Sequence, residues 1–202
     1  MSRLDHRPPD SRANPARRSS NPARARQTGL VTFDSLGPAD IPRLVELNDA
    51  AYPAVPATPA AEMAALLDVA GFSLAVREGD TLVGFVIGMR PGSGYASENY
   101  RFFDARSTDF LYVDRIVVDA ERRGAGLGRV LYTAVFELGR SEGLREVTCE
   151  VNLDPPNPES LAFHARMGFT RVGEQETKNG SVTVALLAAP LEPRAGILPP
   201  RD

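Results

Sequence analysis

The sequence of 202 residues predicts a single domain of α+β class, layered as α/β/α around a mixed, mostly antiparallel central sheet of about seven strands. Three observations predict it. Strand-like runs meet across Glu78-Gly79-Asp80 and again across Asn179-Gly180, which read as hairpin turns. Between those hairpins, strand-like runs alternate with segments whose apolar residues recur at a helical period. The hydrophobic fraction, 43%, is enough for a packed core.

The elements follow in chain order. Residues 30–36 are a short strand. From Pro38 to Tyr52, apolar residues at Ile41, Leu44, Val45 and Leu47 predict a helix. Thr58-Pro59 reads as an N-cap followed by proline at the first helical position, and Gly71 stops that helix. Residues 72–77 and 81–89 form the first hairpin. Residues 90–107, with Pro91, Gly92 and Gly94, read as a long connection. Its aromatics Tyr95, Tyr100, Phe102 and Phe103 are either a wall of a pocket or a satellite cluster under a loop. A strand over 110–118 comes next. Leu127, Val130, Leu131, Ala134, Val135 and Leu138 then mark one stripe of a helix that Gly143 ends. Residues 146–152 are a strand. Asn157 caps a helix with Pro158 at its first position, and Gly168 closes it. Residues 169–178 and 181–189 form the last hairpin.

Charge is unevenly placed. Residues 1–28 carry seven arginines against two aspartates, a net +5 within a chain of net −3, which leaves −8 for the rest. That segment is rich in Pro, Ser and Ala, repeats Asn-Pro-Ala-Arg, and is expected to be a disordered basic tail, with an arm for an acidic partner as the alternative. The domain is expected over 29–190, with a loose end over 191–202. The net negative charge argues against a nucleic-acid partner. No apolar run approaches the roughly 20 residues that span a bilayer, and no secretory segment opens the chain. The lone cysteine, Cys149, excludes an internal disulfide and a cysteine zinc cluster, so no metal is expected and a cytoplasmic location fits.

The most informative stretch is Arg123-Gly124-Ala125-Gly126-Leu127-Gly128-Arg129, between a strand and a helix start. Glycines there let backbone N–H groups approach an anion, and the helix terminus leaves donors unpaired in a positive field. Arg122 and Arg123 at its mouth strengthen the case for a phosphate-bearing cofactor. A nucleotide-triphosphate loop would need a Gly-Lys-Ser/Thr ending, but the chain's one lysine, Lys178, lies elsewhere. A dinucleotide fingerprint would need glycine at Arg129 and a turn directly out of the strand; residues 119–123 intervene.

The remaining pattern, Arg-x-x-Gly-x-Gly at Arg123, Gly126 and Gly128, resembles the acyl-CoA signature of the GNAT superfamily of N-acetyltransferases. A second block, running from Asn157 through Ser160, Phe163, His164 and Gly168 to Phe169, is similar to that family's Asn-x-x-Ala-x-x-Phe-Tyr-x-x-x-Gly-Phe, with His164 where many members carry tyrosine. The resemblance covers roughly residues 30–189. It implies a sheet that splits in a V at its two central strands, acetyl-CoA as co-substrate in the opening, and direct acetyl transfer to a primary amine of a small molecule or peptide. It leaves a homodimer open. By resemblance, the cofactor contacts run through Ile116, Val117 and Val118, with an oxyanion donor near Val117 or Val118. They continue through Arg123, Gly124, Ala125, Gly126, Leu127, Gly128 and Arg129 to Asn157 and Ser160. The alternative is a non-catalytic acetyl-CoA-binding module of the same fold.

Three residues are candidates for proton chemistry. His164, one helical turn after Ser160, takes the place of the tyrosine hydroxyl near the thioester sulfur and would protonate the departing thiolate; the alternative is a helix histidine with a local hydrogen bond. Strand alternation puts Glu150 with Thr148 and Asn152, away from the apolar face of Val147, Cys149 and Val151. The same rule puts Asp114 with Tyr112, Ile116 and Val118 and turns Arg115 to the other face, where it would not neutralise Asp114. Each carboxylate is either a base or half of a structural pair with a distant arginine. Cys149, on an apolar face, reads as an inert buried thiol.

Overall fold

The computed structural model describes residues 31–192. The basic segment 1–28, Leu30 and the C-terminal stretch 193–202 lie outside the described residues. The elements are β1 (Val31–Asp34), α1 (Ile41–Asp49), α2 (Ala60–Val69), β2 (Phe72–Glu78), β3 (Thr81–Met89), α3 (Glu98–Arg106), β4 (Phe110–Val118), α4 (Leu127–Ser141), β5 (Glu146–Asp154), α5 (Pro158–Arg166), β6 (Thr170–Thr177) and β7 (Val182–Pro190). One seven-stranded sheet runs β1-β2-β3-β4-β5-β7-β6. Every neighbouring pair is antiparallel except β4 and β5, which are parallel. The expected α+β class, strand number and central position of the two strands all hold.

The parallel pairing is short. It runs from Phe110 opposite Glu146 to Val113 opposite Cys149 and then stops, while β4 continues to Val118 and β5 to Asp154. The two central strands therefore part beyond Val113 and Cys149, and the sheet opens in a V. Each face has its own core. Leu127, Leu131, Tyr132 and Val135 of α4 pack with Leu111, Val113, Val147, Cys149 and Val151. On the other face Leu44 and Leu47 of α1, Met63 and Leu66 of α2, and Tyr100 and Phe103 of α3 pack with Phe110, Tyr112 and Val117.

Several expectations are corrected. Part of the stretch 90–107 is the helix α3, capped by Ser97, whose side chain accepts from the Tyr100 N–H. Tyr100 and Phe103, one turn apart, are buried in the core beneath it, whereas Tyr95 reaches a pocket. On α4, Val130 faces solvent and Tyr132 takes the buried place. Tyr132 sits five positions after Leu127, off the i, i+3, i+4 pattern, yet it stacks with Phe136 one turn on. Thr58 does not cap α2; its hydroxyl donates to the Pro56 carbonyl at 3.0 Å and accepts from Arg115. The last hairpin closes through four residues, 178–181, with positive φ at Lys178, Asn179 and Gly180. Leu191 is buried against α4, and its N–H donates to the Arg145 carbonyl at 2.7 Å.

The correction with most consequence is a β-bulge in β4. Ile87 pairs with Arg115 and Gly88 with Val113, which leaves Asp114 as the extra residue. Gly88 permits it: a Cβ there would stand 2.2 Å from the Phe72 ring and 2.4 Å from the Tyr112 carbonyl oxygen. The bulge resets the alternation. Tyr112 and Asp114 share a face as expected, but Arg115 and Val117 join them, and Ile116 and Val118 turn to the α4 side.

Candidate functional site

The parting of β4 and β5 creates a cavity of about 490 Å³. Asp114 to Ile116 form one side and Cys149 to Asn152 the other. The segment 52–56, Tyr95 and Asn99 lie over it, and Asn157, Ser160 and His164 of the α5 region reach it from the opposite face.

The glycine loop lies between the end of β4 and the start of α4. Gly126 is the residue before α4 and has φ +84°, and Gly124 has φ +80°, a backbone region that disfavours residues with a Cβ. A Cβ at either position would meet no protein atom within 4 Å, so the concave side of the loop is open. The Val130 N–H returns to the Gly126 carbonyl, whereas the first-turn N–H groups of Leu127, Gly128 and Arg129 have no acceptor within their own helix. Arg123 and Arg129 are exposed and, among the described residues, without a carboxylate partner. Arg122, expected to serve the same anion, instead pairs with Glu78 at 2.9 Å. Loop, helix start and two unpaired cations fit a pyrophosphate.

Along β4, the Asp119 N–H donates to the Val83 carbonyl, and the register continues Gly84–Val118, Phe85–Val117, Val86–Ile116. Hydrogen-bonded and non-bonded pairs alternate in an antiparallel ladder. Val117 therefore spends its N–H on β3, while the N–H groups of Ile116 and Val118 face the opening. Of the two expected oxyanion donors, Val118 is the one with a free direction, and Ile116 shares it.

Glu150 lies within the cavity on β5. Its Oε2 accepts from the Tyr112 hydroxyl at 2.7 Å. Burial and then the charge of Asp114 push its carboxyl up to about 8, against hydrogen bonds from Tyr112 and Asn99 that work the other way. Asp114 is differently placed. It accepts from the Tyr95 hydroxyl at 2.6 Å and from Arg115 Nε at 2.8 Å, and both side chains of this ion pair are buried. The expectation that Arg115 cannot reach Asp114 is thus overturned, because the bulge puts consecutive residues on one face.

A family model settles the fold's kinship: that of the GNAT acetyltransferase family matches residues 41–169. The chain belongs to the GNAT acetyltransferase family. Solved structures agree in fold. The ribosomal-protein-S18-alanine N-acetyltransferase of Escherichia coli superposes with a TM-score of 0.64 at 18% identity, over 85% of this chain and 100% of that one. Ard1 from Thermoplasma volcanium gives 0.65 at 18%, over 80% and 98%. YncA of Salmonella typhimurium, a putative acetyltransferase with its cofactor acetyl-CoA, gives 0.60 at 18%, over 86% and 99%. No curated protein sequence matches the chain.

In this GNAT fold the two sequence blocks meet: the Phe163 ring packs on Gly128, where a Cβ would stand 3.2 Å from it. Asn157 is spent on capping α5, its Oδ1 accepting from the Ser160 N–H at 3.2 Å. His164 is buried among Tyr132, Phe163 and Phe169. Its Nδ1 lies 2.8 Å from the Ser160 carbonyl, an acceptor only, so the ring proton sits there. Nε2 is then an acceptor and takes the Tyr132 hydroxyl at 2.7 Å. The neutral ring has no N–H left for a thiolate, and burial lowers its pKa below the usual histidine value, which keeps it neutral. The geometry favours the local hydrogen-bonding role weighed for this histidine. The partner, Tyr132, was missed because its position lies outside the simple apolar stripe. Burial pushes the Cys149 thiol up, consistent with an inert side chain.

The His164 pair has a stability consequence. Its folded pKa lies below that of the unfolded chain, so on acidification the unfolded state takes up the proton first, and stability falls as pH drops below about 6.5. His164→Gln, whose amide oxygen accepts from Tyr132 without titrating, should show a shallower loss of Tm between pH 7 and 5. Melting curves of both proteins check this; parallel pH profiles would refute it.

Proposed function

We propose that this protein is an acetyl-CoA-dependent N-acetyltransferase that passes the acetyl group directly to a primary amine, with Glu150 as general base. The observation that carries the reading is a carboxyl poised near 8 in the cavity where β4 and β5 part, with an open glycine loop between the end of β4 and the start of α4. A base is most effective when its pKa is close to the working pH. The acetyl-CoA bound by the structural neighbour from Salmonella typhimurium supports the choice of co-substrate.

The co-substrate supplies an acetyl thioester. The N–H groups of Leu127, Gly128 and Arg129, with Arg123 and Arg129, hold its pyrophosphate. The N–H groups of Ile116 and Val118 point where the acyl oxygen gains negative charge. Glu150 takes one proton from the acceptor ammonium; the freed nitrogen lone pair forms the C–N bond as the C–S bond breaks, the sulfur leaves with the C–S bonding pair, and the second nitrogen proton passes to that thiolate, giving the amide and the free thiol. Asp114, paired with Arg115 and bonded to Tyr95, is not the base. The direct test is a panel of amines with acetyl-CoA and detection of free thiol. Amine-dependent thiol release is expected. Acetyl-CoA binding without release across the panel would refute the reading in favour of a non-catalytic module.

A further inference from the structure

The Asp114–Arg115 pair has no step in the mechanism, yet it is among the most buried charged groups described. Removing two charges from water costs several kcal/mol each unless every polar atom is satisfied. Here each bond leads to a cavity wall. Arg115 Nη1 donates to Asn48 Oδ1 at 3.0 Å and to Thr58 Oγ1 at 2.9 Å. Asn48 Nδ2 and Thr58 Oγ1 in turn donate to the same carbonyl, that of Pro56, at 2.8 and 3.0 Å. Pro56 ends the segment 52–56 that lies over the opening, and Tyr52 within it is 68% exposed at the rim. On its other side Asp114 holds the Tyr95 hydroxyl. Pro56, Tyr95 and Arg115 also line a second cavity, of about 470 Å³, against α2. The network is thus the partition between the two spaces.

We propose that Asp114 and Arg115 are positioning residues, set on one face by the β-bulge, that tie both walls of the acceptor cavity, the segment 52–56 and Tyr95, to β4. The guanidinium does what an ammonium cannot. Its fork reaches a carboxylate through Nε while Nη1 spans two neutral acceptors. The same pair also acts on Glu150 directly, through the negative charge of Asp114. The Glu150 carboxyl is faced by Tyr112 and Asp114 of β4, with Arg115 behind them. Tyr95 approaches it from the loop before α3, Tyr132 of α4 and Cys149 of β5 lie near it from the α4 side of the sheet, and Lys178 lines the same cavity. The functional meaning rests on Glu150 being the base, but the test needs no turnover.

Two ligand-free measurements on the full chain separate fork from charge. Arg115→Lys keeps the charge and loses the fork. Amide hydrogen exchange over residues 50–59 should quicken about tenfold, the loss expected of a charged hydrogen bond. The Glu150 carboxyl, followed by carbon NMR, should still titrate near 8. Asp114→Asn removes the negative neighbour, so the same titration should fall by about one pH unit. Wild-type exchange over 50–59 in Arg115→Lys, or an unmoved Glu150 midpoint in Asp114→Asn, would overturn the proposal. Should Arg115→Lys not fold, Thr58→Val cuts the same strap farther out. It should also quicken exchange there, and unchanged exchange would count against the proposal equally.

Discussion

Glu150→Gln is expected to lower kcat for amine acetylation by about 10²–10⁴, the usual worth of a positioned general base, with acetyl-CoA affinity nearly unchanged. The pH profile carries the sharper signature. Only the ionised carboxylate accepts a proton, and its pKa is raised to about 8. The wild-type rate should therefore climb about tenfold per pH unit below 8 and flatten above it. The Gln variant should lose that limb and keep only the titration of the acceptor amine. A stability effect of fixed sign accompanies it. Between the ordinary carboxylate value and about 8, the folded state holds a proton that the unfolded state has released. Stability therefore falls as pH rises through this window, and Glu150→Gln, which cannot ionise, should be the more stable protein at pH 9. A Gln variant that keeps near wild-type kcat and the limb at 8 would move the base elsewhere, to water or to the amine itself.

Gly126→Val should weaken acetyl-CoA binding by about 10²-fold or more, a loss equal to about two charged hydrogen bonds. Two effects act together. Gly126 has φ +84°, where a β-branched residue costs about 1–2 kcal/mol and pulls the first turn of α4 out of register. The added side chain also meets no protein atom and so projects into the space the pyrophosphate needs. The fold should survive with Tm a few degrees lower, and Gly126→Ala should fall between the two. Titration calorimetry with acetyl-CoA measures this. A folded Val variant with wild-type affinity would place the cofactor elsewhere.

Much of the site is legible in the sequence. The glycine loop was found because the positive φ at Gly124 and Gly126 demands glycine there, whatever the rest of the chain does. The stop at Gly168, φ +90°, was found for the same reason, and the cap at Asn157 because an amide oxygen just before Pro158 suits a helix start. Glu150 was found because strand alternation put a carboxylate at the sheet's centre, where burial demands an explanation. Other residues carried no such local signal. Tyr132 lies beside the apolar stripe rather than in it, and only the aromatic nest of Phe163 and His164 on α5 and Phe169 in the link to β6 turns it inward. The helix α3 hid behind glycine and proline at its entrance, and its aromatics read equally well as a loop cluster until β4 was seen beneath them.

By itself, the sequence determined the order and type of most elements, the anion loop and the presence of a carboxylate on each central strand. These are consequences of dihedral preference and hydrophobic period, which act over a few residues. Only the tertiary structure decided which faces those residues share. A bulge exists only against a partner strand, and the one at Asp114 depends on Gly88 admitting the Tyr112 carbonyl. That one extra residue turned Arg115 toward Asp114 and joined them in a buried ion pair. The raised pKa of Glu150 is likewise a property of burial between two strands that part, a non-local arrangement that spacing along the chain does not record.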